Sequence, residues 1–278
     1  MYTVYKDIYS KHTDINTSHT DLSNSDCIPY SEGWLSVLNN TWKDGWIIFK
    51  RDFMLDRWHL IWNVLFMIYI ALMSSVMVNP SSEAKSILNP MADFMLLTII
   101  PFTGFYFSRR SFNYIKEDSY TRMLHYYRTL PIPGITIIKG RIIQLLTAML
   151  FNGLFFYPVF YFVLKNANGS LHSAGQLLAF ALTWTGYGLL VNGVYIYFEF
   201  LNKGRKYLWI TFSLLLVTGF LAFIINWFDG NLLLLSLEQS KRYSLLSPLM
   251  WSALILGGMT LAVFCKITLT KLGKRDLI

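Results

Sequence analysis

The chain alternates long apolar runs with short polar ones, and that alternation predicts most of its helices. Six runs are long and greasy enough to cross roughly 30 Å of hydrocarbon, which takes about 20 helical residues. They lie near 59–79, 91–108, 142–164, 176–198, 207–228 and 249–269. In the fifth, Trp209 and Trp227 stand 18 positions apart. That is about 27 Å along a helix axis, the separation of the two membrane interfaces where Trp settles. None of the six has the polar outer face that a helix of a soluble protein keeps toward water.

Two further stretches follow the helical period without being apolar all round. Between Gly33 and Trp58, Leu35, Leu38, Trp42, Trp46, Phe49 and Phe53 recur at three- and four-residue steps among Lys43, Asp44, Lys50, Arg51, Asp52 and Arg57. Such a helix lies along the inner interface with its rings in the acyl boundary, or packs on the rest of the protein from the cytoplasmic side. The second stretch runs from Glu117 to Leu130. Glu117 and Asp118 stand where acids favour a helix start. Met123, Leu124, Tyr127 and Leu130 share one face, and Pro131 followed by Pro133-Gly134 stops the helix. This face is too short to span a bilayer. It must bury itself on the chain's own inner helix ends or in the groove of a partner.

Composition turns the pattern into a class. Charged residues make up 14% of the chain, against roughly 25% in soluble domains. Apolar residues reach 54%, with 21 Phe, 17 Tyr and 9 Trp. The expected organisation is all-α and integral to the membrane: a polar tail over 1–32, the amphipathic helix over 33–58 and a six-span domain over 59–278. With the N-terminus inside, 20 of the 24 Lys and Arg fall on the cytoplasmic side, leaving Lys85, Lys165, Lys241 and Arg242 outside. The positive-inside rule therefore predicts that both termini face the cytoplasm. The net charge of +8 then answers to anionic headgroups and needs no nucleic acid. The polar opening residues offer no cleavable signal. Cys27 and Cys265 both fall on the reducing side and read as free thiols.

Candidate chemistry is sparse. Ion-coupled carriers keep ionisable groups near the midplane, whereas here Asp93, Lys165 and Glu199 all sit at span ends. Asn63, Asn152 and Asn192 read as interhelical hydrogen bonders. There is no H-E-x-x-H, no G-x-S-x-G and no His/Cys cluster with metal spacing. The phosphate-cradling G-x-x-x-x-G-K-[ST] is also missing, so the chain is not expected to hydrolyse ATP itself. Pro101 and Pro158 mark helix bends or ordinary packing, and Gly257-Gly258 a close approach or a kink. The Leu-rich stretch 229–248 either dips back into the outer interface or forms a loose loop.

An amphipathic helix, six spans, and a cytoplasmic helix carrying Glu117, Thr121, Leu124 and Leu130-Pro131-Ile132-Pro133, with Arg141 leading into the third span, resemble the permease subunits of bacterial type-2 ABC exporters. Tyr120 stands where many members have Gly. The resemblance implies that the segment between spans two and three is a coupling helix. Glu117, Thr121, Met123, Leu124, Tyr127, Leu130 and Pro131 would then face a groove on a stand-alone ABC ATPase. It also implies that ATP and Mg bind on that partner, with no cofactor in this chain. Two six-span halves, identical or paralogous, would form the pathway in the bacterial cytoplasmic membrane, with 229–248 as a re-entrant outer hairpin. The aromatic spans suit an antimicrobial peptide, a drug or a lipid-like cargo. Two other readings remain: a membrane sensor or immunity protein that does not pump, and an ion-coupled carrier in which Asp93 or Glu199 is essential.

Overall fold

A computed structural model describes residues 30–55, 58–77, 85–107, 118–129, 132–168 and 173–273. The chain divides into two units, Met1–Asn40 and Thr41–Ile278. In the first, residues from Tyr30 onward are helical; the contacts described below all lie in the second. Among the described residues all regular structure is helical: α1 (Tyr30–Leu55), α2 (His59–Met77), α3 (Lys85–Phe102), α4 (Ser119–Thr129), α5 (Gly134–Asn168), α6 (Ala174–Leu201), α7 (Gly204–Trp227), α8 (Leu232–Tyr243), a 3-10 turn (Ser244–Leu246) and α9 (Pro248–Leu272).

The six predicted spans all coincide with helices, but not all are long enough alone. Within α5, α6, α7 and α9, four segments are long and apolar enough to cross a membrane: Gly134–Val163, Ala174–Leu201, Gly204–Trp227 and Pro248–Leu272. A fifth is counted if Thr41–Met54 and His59–Ser75, which meet at 85°, are taken as one bent span. The second predicted span, 91–108, is shorter than expected. Pro101 stands at its end, the helix closes at Phe102, and the chain turns over Thr103 and Gly104. The apolar part, Pro90–Phe102, reaches only about 20 Å at 1.5 Å per residue. The architecture is thus an all-α membrane bundle with four such helices, or five with the bent pair.

Two larger apolar layers, beside a smaller cluster of Phe49, Tyr106 and Ala148, hold the bundle together. One gathers Leu96, Ile100, Phe156, Phe160, Phe180, Trp184, Leu233 and Leu237. Its rings form a ladder: Phe156 stacks on Phe160 with centroids 5.7 Å apart, and Phe160 on Phe180 at 5.8 Å. The other gathers Leu124, Tyr127, Ile137, Leu145, Ile196, Phe200, Leu261 and Leu272. Hydrocarbon gives apolar helices no hydrophobic reason to pair, so close backbone packing must do it. α6 and α9 meet in this way. A Cβ on Gly257 would lie 2.1 Å from the Gly186 carbonyl oxygen, and one on Gly193 would lie 3.0 Å from Leu261 Cα. Gly257 therefore serves close approach, while a Cβ on Gly258 would meet nothing within 4 Å.

α7 buries only Gly204, Tyr207 and Ala222. It turns Trp209, Phe212, Leu216, Phe220, Phe223 and Trp227 outward. An apolar face of that extent is costly in water and at home in lipid.

Candidate functional site

The site is built where α1, α4, α5 and α6 meet. α4 starts after Asp118, whose φ of 45° is one that Asp tolerates better than most side chains. The Asp118 carbonyl accepts from Arg122 N at 3.0 Å. Its carboxylate does not serve α4: Oδ1 accepts the backbone N–H of Gly204 at 2.8 Å, at the first residue of α7. The entry of α4 is thereby tied to the start of another long helix, and the carboxylate meets the positive end of that helix's dipole.

Period and burial agree along α4. Leu124 and Tyr127 are each 1% exposed, packed into the second apolar layer, with Met123 partly buried beside them. Thr121 is half-buried, whereas Arg122, His125, Tyr126 and Thr129 point outward. Of the two docking alternatives, Leu124 and Tyr127 take the chain's own helices. A partner meeting the folded chain would touch the opposite face, around His125 and Tyr126. This changes which side chains can contact a partner, because a residue already packed in the core is not available to a groove elsewhere. Glu117, Leu130 and Pro131 lie outside the described residues.

α4 is also bonded to α1. Arg51 Nη2 donates to Tyr127 Oη at 2.8 Å, and its guanidinium lies 5.6 Å from the centre of that ring. Arg51 pairs with Asp52 at 3.1 Å, and Tyr127 Oη donates to Asp52 Oδ2 at 3.5 Å. α1 packs in turn on α5, where a Cβ on Gly45 would lie 3.0 Å from Gly140 N. Thr41 and Phe49 are buried, while Trp42, Trp46, Ile47 and Met54 are exposed. α1 therefore packs on the protein along one side and presents rings on another.

Behind α4 lies a buried ion pair. Arg141 donates from Nε at 3.2 Å and from Nη2 at 2.9 Å to the same oxygen, Oε2 of Glu199. Both side chains are over nine-tenths buried. The guanidinium also lies 5.4 Å from the centre of the Phe105 ring. Sequence reasoning treated Arg141 and Glu199 separately. The signal that joins them is depth: both lie near the same end of two consecutive helices, α5 and α6. A charge at that depth requires an opposite one.

The three asparagines close the broken end of α3. Asn152 Nδ2 donates to the carbonyls of Thr103 at 2.8 Å and Phe105 at 2.9 Å, and Asn63 Nδ2 donates to Asn152 Oδ1. Asn192 Nδ2 reaches the Pro101 carbonyl at 3.0 Å and its own helix at Gly188 at 2.8 Å. A helix ending inside apolar surroundings leaves carbonyls that water cannot satisfy, and these amides satisfy them. Pro101 thus ends a helix, and α5 continues as one helix through Pro158.

At the other end of the bundle, Asp93 takes the backbone N–H of Leu232 at 2.8 Å and of Leu233 at 2.9 Å, capping α8 from α3. Trp184 Nε1 donates to Ser236 Oγ at 3.2 Å. Leu233, Ser236, Leu237 and Ser240 are buried, so 229–248 is a packed helix and turn in place of a loose loop. No family model, curated protein or solved structure matches the chain.

Proposed function

We propose that the chain is the six-span permease subunit of an ABC exporter, with both termini cytoplasmic, working with a separate ATPase that binds ATP and Mg. The observation that carries this reading is the placement of α4. A short, wet, amphipathic helix is anchored to α1 through Arg51–Tyr127, to α7 through Asp118–Gly204 and to the inner layer through Leu124. A push on α4 reaches several long helices without passing through a flexible loop. Its outward face, with Arg122, His125, Tyr126 and Thr129, is left for the ATPase. A second permease copy or a paralogue completes the pathway, and the cargo is amphipathic: an antimicrobial peptide, a drug or a lipid-like molecule.

The carrier reading is weakened by what its two candidate acids do. Asp93 caps a helix and Glu199 pairs with Arg141, so each acid already has a structural role. The sensor reading predicts no stable ATPase partner. The deciding experiment is purification of the tagged chain from its native membrane in mild detergent, followed by identification of the proteins it brings along. Tyr126→Asp is the informative variant, because it alters the outward face. Leu124→Asp would place a charge in the core and unfold what it is meant to test. A co-purifying ATPase lost in Tyr126→Asp, with the chain still monodisperse, supports the reading. A well-folded chain that emerges alone favours the sensor.

A further inference from the structure

The start of α7 gathers charge that nothing else in the described chain answers. Lys203, Arg205 and Lys206 are all exposed, and among the described residues none of them has an ion pair or a side-chain hydrogen bond. The carboxylates on this corner are engaged elsewhere. Asp118 Oδ1 takes the Gly204 N–H at 2.8 Å, and Glu199, near the end of α6, pairs with Arg141 at 2.9 Å. Even with Asp118 counted against it, the corner keeps an excess of positive charge. An uncovered apolar stripe runs along the helix from these cations. At 3.6 residues per turn, Arg205, Trp209, Phe212, Leu216, Phe220 and Phe223 fall within an arc of about 80°. Trp209 is 68% exposed and Leu216 71%. From Trp209 to Phe220 the rise is about 16 Å, one leaflet of a hydrocarbon core roughly 30 Å thick. Cations, then a Trp at the boundary, then a leaflet's depth of apolar side chains match the outline of a phospholipid standing against the helix.

We infer that the first turns of α7 bind an anionic phospholipid of the leaflet that holds them. Its headgroup meets Lys203, Arg205 and Lys206, and its acyl chains lie along Trp209, Phe212 and Leu216. Charge selects this occupant over the others. A zwitterionic lipid covers the rings equally well but brings no net charge to the cations. A second copy of the chain, set face to face on α7 about a two-fold axis along the membrane normal, would lay the same cations against each other at one depth. A water-soluble phosphate would meet the cations and leave the stripe unused. The headgroup also sits beside the entry of α4, because Gly204 at the foot of α7 is bonded to Asp118. The inference does not depend on the transport role, since binding is read on the isolated chain.

The test uses two lipids with the same chains and different headgroups. The full chain in a neutral detergent is titrated with dioleoylphosphatidylglycerol or dioleoylphosphatidylcholine, and bound lipids are counted by native mass spectrometry. The first phosphatidylglycerol is expected to bind at least about tenfold more tightly than the first phosphatidylcholine, a preference that shrinks as salt rises. Lys203→Gln/Arg205→Gln/Lys206→Gln should bring the two lipids to within about twofold. The melting temperature of the delipidated chain should stay unchanged, because these side chains are exposed and unpaired. Lys241→Gln/Arg242→Gln, which removes exposed cations at the far end of the bundle, should keep the preference. Equal affinity for the two lipids, a preference that survives the triple variant, or one lost equally in the Lys241/Arg242 control would overturn the inference. So would displacement of the lipid by glycerol phosphate alone, which would make the ligand a soluble anion. A dimer that takes phosphatidylglycerol only after dissociating would overturn it as well, by giving the face to a second copy. None of these results bears on whether an ATPase docks on α4.

Discussion

Single residues in this chain are informative where a polar group sits among apolar ones. Arg141 and Glu199 form a pair whose halves are each costly alone. Glu199→Gln leaves a buried guanidinium without its counter-charge and is expected to cost about 3 kcal/mol or more, whereas Arg141→Gln/Glu199→Gln together should cost less than either single change. Thermal unfolding in detergent checks the order; a double variant worse than both singles would mean that the pair is not the unit. Asp93 is a different case. It accepts two backbone N–H groups at the start of α8, so Asp93→Ala should cost about 1–2 kcal/mol and deprotect α8 preferentially in amide hydrogen exchange. Uniform loss of protection across the bundle would count against a local cap. The sequence exposed these residues as charges at span ends, but not their partners. A pairing across consecutive helices depends on depth and facing, and periodicity alone leaves both loosely set.

At the scale of elements, the helical period was legible and the end points were not. The apolar runs locate α2, α5, α6, α7 and α9 because a span must satisfy its backbone internally. The end of α3 was misplaced by six residues, 108 in the sequence reading against Phe102 in the structure. Hydropathy does not register the break at Pro101, and apolar residues continue beyond it. What makes that break tolerable is a set of amides on other helices, which no local window contains. The same holds for α4: its apolar face was legible, but not whether that face docks on the chain or on a partner. The α6–α9 contact makes a sharp comparison. Gly257→Ala would drive a methyl into the Gly186 carbonyl and should destabilise by about 1–3 kcal/mol. Gly258→Ala, one residue on, meets open space and should be neutral or slightly stabilising. Detergent melting curves of the two variants separate a packing seam from a generic intolerance of α9; equal losses would contradict the seam.

For the whole molecule, apolar exposure and charge bias point the same way. The outward rings of α7 suit lipid, and the Lys and Arg distribution predicts which end of the bundle faces the cytoplasm. In a cysteine-free background, Thr129→Cys on α4 is expected to react with an impermeant maleimide only after the membrane is opened. Leu246→Cys, beyond α8 and highly exposed, is expected to react in intact cells. Labelling of both from outside would break the proposed topology. Topology alone does not identify a transporter, and the chain's central claim is that α4 receives force from an ATPase. The most direct measurement replaces Tyr126 with a photoreactive benzoylphenylalanine in native membranes and identifies what it captures on illumination, with the lipid-facing position Phe220 as control. An adduct to an ATP-binding subunit from Tyr126 and none from Phe220 is the predicted result. Efficient incorporation with no protein adduct at Tyr126 would contradict the account.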